Sequence, residues 1–113
     1  MKKIFLLIIF IIPFVTFSQN ATKSQEKRSD MITSYVIDKL ELSDEDAQFF
    51  KKIHLAQIVD NAIKVKESNA SSNEEKRLIY RKGYENIKAK LTEQFGNKKA
   101  QQILKASNEA RNK

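Results

Sequence analysis

The sequence predicts an all-α protein, built as a small antiparallel helical bundle or a hairpin of long helices behind an N-terminal signal peptide. Three observations carry this. Apolar residues beyond position 28 recur at intervals of three and four, and no stretch sustains the alternation of a strand. The 113 residues include only two Gly and one Pro, so little interrupts helices. Two helix-start signals, at Ser43 and Ser72, divide the chain into segments of helical length.

The first eighteen residues read as an address rather than as fold. Lys2 and Lys3 form a basic start, Ile4 to Phe17 is an uncharged, largely apolar run, and Thr16-Phe17-Ser18 places small residues around a cleavage point. This is the layout of a secretory signal peptide, with cleavage expected after Ser18. A membrane span needs about 20 apolar residues, which this run does not reach. Membrane contact is therefore expected only through this segment, if it is left uncleaved. The expected location is the periplasm or the cell exterior.

Residues 19–27 are polar and aperiodic and are expected to be a flexible arm. The helical domain is expected over 28–106. Met31 and Tyr35, with Ile32, Val36 and Leu40, predict a short first helix over about 28–40, with Asp30 as its N-cap. Ser43 then caps a second helix whose first turn holds Asp44, Glu45 and Asp46, where carboxylates face the positive end of the helix dipole. That helix, over about 44–67, has two adjacent apolar rows: Phe49, Ile53, Ala56, Val59 and Ile63, then Leu55, Ile58, Ala62 and Val65. So wide an arc predicts a helix that sits between two neighbours or lends part of its face to a partner.

Ser68–Asn73 is a polar loop, and Ser72 with Glu75 forms a capping-box signature for a helix starting near 73. Tyr80, Tyr84, Ile87, Leu91 and Phe95 then predict a narrow seam like that of a coiled coil, bordered by Gly83. Gly96 marks a stop and Asn97 the cap of a last helix carrying Ala100, Ile103, Leu104 and Ala106. Residues 107–113 are expected to be a polar tail.

Composition excludes several function classes. There is no Cys and a single His, His54, so disulfides, thiolate chemistry and multi-histidine metal sites are ruled out. Two glycines leave no phosphate-cradling loop. No nucleophile–base pattern appears, so no enzymatic activity, cofactor or catalytic residue is expected. His54 is expected at a structural boundary position.

Charge is unevenly placed. The whole chain carries +7. Without residues 1–18 it carries 19 basic and 14 acidic residues, net +5; residues 19–73 are near neutral and residues 74–113 are net +6. Lys76, Arg77, Arg81, Lys82, Lys88 and Lys90, opposite the aromatic seam, form a candidate protein-binding surface. Phe49 and Phe50 join it, because adjacent helical residues diverge by about 100° and one ring is left to face a partner. A purely solvated basic surface is the alternative. Export argues against nucleic acid as a partner.

The order of features resembles the Spy/CpxP-like superfamily of small periplasmic helical proteins with LTxxQ motifs. The resemblance lies in the signal peptide, in Leu40-Glu41-Leu42-Ser43-Asp44-Glu45 opening a long helix, in Ser71-Ser72-Asn73-Glu74-Glu75-Lys76 opening a second, and in Leu91-Thr92-Glu93-Gln94 near its end. Asp46 stands where the motif has Gln, and Gln94 arrives one residue early. The resemblance implies a chaperone-like module acting without ATP, or an envelope-stress regulator, with unfolded or specific envelope proteins as partners and a homodimer as its common form. Two alternatives stand beside it: a structural or regulatory helical protein that pairs with itself or one partner, and a small metal-binding protein centred on His54.

Overall fold

A computed structural model describes residues 21–68 and 72–112. The expected signal peptide and residues 69–71 of the expected loop lie outside the described residues. Among the described residues four helices follow one another: α1 Lys23–Leu40, α2 Asp44–Glu67, α3 Asn73–Phe95 and α4 Asn97–Arg111. Each packs on the next, and α4 packs back on α1, while the diagonal pairs α1/α3 and α2/α4 do not approach. Short connections make successive helices antiparallel, so the result is a closed ring of four around one core. The all-α antiparallel bundle predicted from the periodicity is what the chain forms, and α2 sits between two neighbours as its wide arc requires.

Local chemistry sets the helix ends. Ser43 caps α2 by accepting from the Asp46 N–H at 3.2 Å, and Ser72 caps α3 by accepting from the Glu75 N–H at 3.1 Å. The Ser72 hydroxyl in turn donates to the Glu75 carboxylate. Two starts differ from expectation. α1 begins at Lys23 rather than near 28, because Thr22 and Gln25 form a full capping box: the Gln25 N–H donates to Thr22 Oγ1 and the Thr22 N–H to Gln25 Oε1. Residues 23–27 are therefore helix, not arm, and Asp30 lies within the helix. Asn97 is the first residue of α4, which has no side-chain cap.

The α1–α2 corner turns on Glu41, at φ 51°. The Leu42 N–H reaches back to the Ile37 carbonyl at 3.2 Å, closing a Schellman-type end. A non-glycine residue in the left-handed region is strained. Glu41→Gly should therefore raise stability by about 0.5–1 kcal/mol, read as a higher urea midpoint with an unchanged slope.

α3 and α4 are joined by Gly96 alone, at φ 88° and ψ 164°. A side chain there would have open space around it, so the constraint is the backbone, in a region essentially confined to glycine. Gly96→Ala is expected to cost about 1–3 kcal/mol, measurable by thermal unfolding.

The core draws on every helix: Ile32 and Val36 from α1; Phe50, Ile53, Ala56 and Val59 from α2; Ile87 and Leu91 from α3; Ala100, Ile103, Leu104, Ala106 and Ala110 from α4. Met31 is exposed, so α1 presents the 32/36 row inward, with Tyr35 and Leu40 at its edge. The expected polar tail is the end of α4. Ser107 and Ala110 are buried, and Ser107 donates to the Ile103 carbonyl at 2.9 Å, so its hydroxyl is satisfied inside the helix.

Candidate functional site

α2 and α3 have 24 and 23 residues, while α1 and α4 have 18 and 15. At 1.5 Å per residue the inner pair is about 8–13 Å longer than the outer pair. Burial shows where the excess lies. α2 has no buried residue after Val59, and α3 has none before Gly83. The α2–α3 hairpin thus projects beyond the four-helix core, over residues 60–67 and 73–82.

Gly83 marks the base of this projection. A Cβ built on it would collide with Asn61 Oδ1 and lie 2.8 Å from Gln57 Nε2, so the absent side chain lets α3 close onto these two amides. Gln57 donates to Asn61 at 3.0 Å, which keeps the layer paired.

Beyond that layer the hairpin holds large apolar side chains in solvent. Leu78 is 57% exposed, Tyr80 51% and Ile63 39%, and Tyr84, directly after Gly83 at the base, is 40% exposed. This corrects the expected seam. Ile87 and Leu91 are buried, but Tyr80 and Tyr84 are not, because α4 ends at Arg111 and supplies no neighbour further along α3. The residues on the inner line of α3 are Ile79, Gly83, Ile87 and Leu91 instead.

The eight candidate surface residues do not come together. Phe50 is fully buried and is removed from the surface; its ring meets the His54 imidazole edge-on, with centroids 5.6 Å apart. Phe49 is half-buried at the opposite end of the bundle, edge-on to Phe95 at 5.7 Å, with Lys99 Nζ 5.6 Å from the centre of the Phe95 ring. On α3, helical spacing places Arg77, Arg81 and Lys88 within about 40° of one another, beside Tyr80 and Tyr84. Lys82 is more than about 100° away from them, Lys76 is half-buried near the inner line, and Lys90 lies beside Leu91 in the four-helix region. A basic and aromatic flank of Arg77, Tyr80, Arg81, Tyr84 and Lys88 replaces the broader surface.

His54 is not at a boundary. It is 3% exposed, and its Nδ1 shares a 2.8 Å hydrogen bond with the buried Ser29 hydroxyl of α1. Thr33 donates to the Ser29 carbonyl at 2.9 Å. Nε2 is buried with no hydrogen-bond partner. Burial, then the positive charges of Arg111 and Arg28, push the His54 pKa down from 6.5 to about 4, so the ring is neutral near pH 7. The Arg111 pKa is itself lowered, by burial and by Arg28, with Tyr84 acting in the opposite direction. Helical reading of α2 alone could not find the Ser29 partner, which comes from another helix.

Elsewhere, Glu109 of α4 accepts from Lys39 and Tyr35 of α1. The Lys39 hydrogen bond holds the Glu109 carboxyl below its ordinary range. A groove of about 400 Å³ runs past Glu26, Asp30, Thr33, Lys51 and Leu55. It is open, and its lining carries both signs of charge, unlike the enclosed apolar wall of a small-molecule site. Among the described residues, no group of three or more His, Asp or Glu side chains could hold a metal ion. No described helix is long and apolar enough to cross a membrane. Comparison with protein families, curated proteins and solved structures finds no match to this chain.

Proposed function

We propose that the protein is an exported, non-enzymatic, ATP-independent protein-binding module that holds unfolded or specific envelope polypeptides on its projecting hairpin. The observation that carries this is the flank of Tyr80 and Tyr84, beside Arg77, Arg81 and Lys88, which runs along the exposed side of α3 from the projecting hairpin onto the edge of the core. Exposed aromatic area offers contact at low entropic cost, and the arginines add charge attraction toward acidic clients. The resemblance to Spy/CpxP-like proteins supports the same reading, as does the signal-like N-terminus.

The test is aggregation of a chemically denatured acidic client, followed by light scattering. The protein should suppress aggregation at low salt and lose most of that protection at high salt, where surface charges are screened. The double variant Tyr80→Ser/Tyr84→Ser should lose protection while its own stability changes by no more than about 1 kcal/mol. No suppression at low salt would overturn the reading.

The same exposed flank favours a second reading, pairing with a further copy of this chain. Sedimentation distinguishes the two. A dimer that Tyr80→Asp converts to monomer supports self-association. Leu91→Asp cannot serve, because Leu91 is fully buried within the chain's own core.

A further inference from the structure

The outer helices run out before the inner pair does. Both run out at the same end of the bundle, because α1 and α4 are antiparallel neighbours. Turning back at Gly96, the 15 residues of α4 cover α3 from Phe95 to about residue 81, at about 1.5 Å each. The 18 residues of α1 likewise reach along α2 to about residue 61. Past those points the core-facing stripes continue without a neighbour. Tyr80, Tyr84, Ile87 and Leu91 fall in one arc of about 60° on α3; the last two are buried and the tyrosines are exposed. Ile63 shares an arc of about the same width with Ala56 and Val59 on α2, and it is exposed while they are buried. The open stretch of α3 from Asn73 to Tyr84 is about 16 Å long, or three helical turns.

Positive charge lines this stripe. Arg77, Arg81 and Lys88 lie beside the tyrosines, all three exposed and, among the described residues, in no ion pair. Glu74 and Glu85 lie further round α3, outside the arginines. We propose, resting on the protein-binding reading of this face, that its partner is a single amphipathic helix with an acidic edge. It lies where α4 would continue, packs its apolar side on Tyr80, Tyr84 and Ile63, and sets its carboxylates against the guanidinium forks of Arg77 and Arg81. An extended chain fits this face less well. Among the described residues there is no strand, so no sheet edge offers main-chain hydrogen bonds, and an extended segment would leave its own amides unpaired in the contact. A helix satisfies its own amides and interlocks with the i, i+4 ridges of α3. Self-pairing through this face opposes two like-charged flanks. An anionic lipid surface approached by the hairpin end would meet Glu67, Glu74 and Glu75, the last residue of α2 and the first turn of α3.

Three fluorescent peptides of about 18 residues, or five helical turns, are titrated with the intact protein. The first sets leucine at helical spacing with glutamate on the flanks. The second has the same composition in scrambled order, without an apolar face. The third replaces glutamate by lysine. Anisotropy at low salt should show saturable binding of the first peptide, at least about tenfold tighter than of the other two, and this binding should weaken as salt rises. Circular dichroism should show the first peptide gaining helix on binding, since helices of this length are marginal alone. Tyr80→Ser and Arg77→Gln/Arg81→Gln should each weaken binding about fivefold or more. No binding of the first peptide, equal binding of the scrambled one, or unchanged binding by both variants overturns the proposal; protection of a denatured client would then leave the protein-binding reading standing. Binding of phosphatidylglycerol vesicles without preference for the first peptide overturns it in favour of a lipid surface. A dimer that excludes the first peptide, and that Tyr80→Asp dissociates, overturns it in favour of self-pairing. Tight binding of the first peptide without protection of a denatured client supports the helix assignment and removes only unfolded clients from the wider reading. The comparison of peptides on the wild-type protein decides the matter even if a variant fails to fold.

Discussion

Phe50→Ala is expected to destabilise the protein by about 3–5 kcal/mol, whereas Phe49→Ala should cost clearly less. Phe50 is fully buried and stands among Val36, Ile53, Leu91 and Ile103 in the core cluster. Truncation removes the transfer free energy of the ring and leaves a cavity that the four helices cannot fully close. Phe49 is half-buried and keeps one side toward solvent, so less area is lost. Small domains have total stabilities of about 5–15 kcal/mol, so the Phe50 change takes a large share. Urea unfolding followed by circular dichroism measures both; a Phe50→Ala midpoint close to wild type would return Phe50 to the surface. The comparison matters for function. A client-binding defect in Phe50→Ala would report unfolding, so the informative aromatic variants are Tyr80 and Tyr84.

The parts of this fold that were legible in the sequence are those fixed by neighbours in the chain. Ser43 and Ser72 bond to N–H groups three residues on, which is why the bounds of α2 and the start of α3 could be read directly. The first turns of α1 use the same chemistry, with Thr22 and Gln25, but in a stretch with no apolar periodicity. Their inward face opens with Ser29 and Thr33. These hydroxyls are buried because one meets His54 and the other a helix carbonyl, and hydrophobic spacing does not register such residues. Ser107 concealed the last turn of α4 in the same way.

What depended on another helix was not legible. The spacing of Tyr80, Tyr84, Ile87, Leu91 and Phe95 describes one face of α3 correctly as a pattern, but it does not say how far α4 runs. Because α4 stops at Arg111, the lower part of that pattern becomes core and the upper part becomes exposed aromatic surface. The candidate basic residues divide for a related reason: a charge count along α3 treats Arg81 and Lys82 as equals, while helical rotation sends them in different directions.

Acidification from pH 7.5 to pH 5 is expected to remove about 2 kcal/mol of stability through His54 alone. The folded-state value is about 4, below the ordinary 6.5, so between these limits the unfolded chain binds the proton and the native protein does not. Stability contributed by the neutral ring is therefore complete above about pH 6.5 and falls as pH drops toward 4, to a total loss of about 3 kcal/mol below both values. The physical cost is placing a cation in a buried site already faced by Arg28 and Arg111. Glu109 does not imitate this window, because its carboxyl, held low by Lys39, loses its contribution only in more acid solution. His54→Leu should be less stable at pH 7.5, since Ser29 loses its partner, yet its urea midpoint should stay nearly flat from pH 7.5 to 5. The wild-type midpoint should decline steadily over the same range. A wild-type profile as flat as that of His54→Leu would mean that His54 titrates at its ordinary value and that the ring is not desolvated.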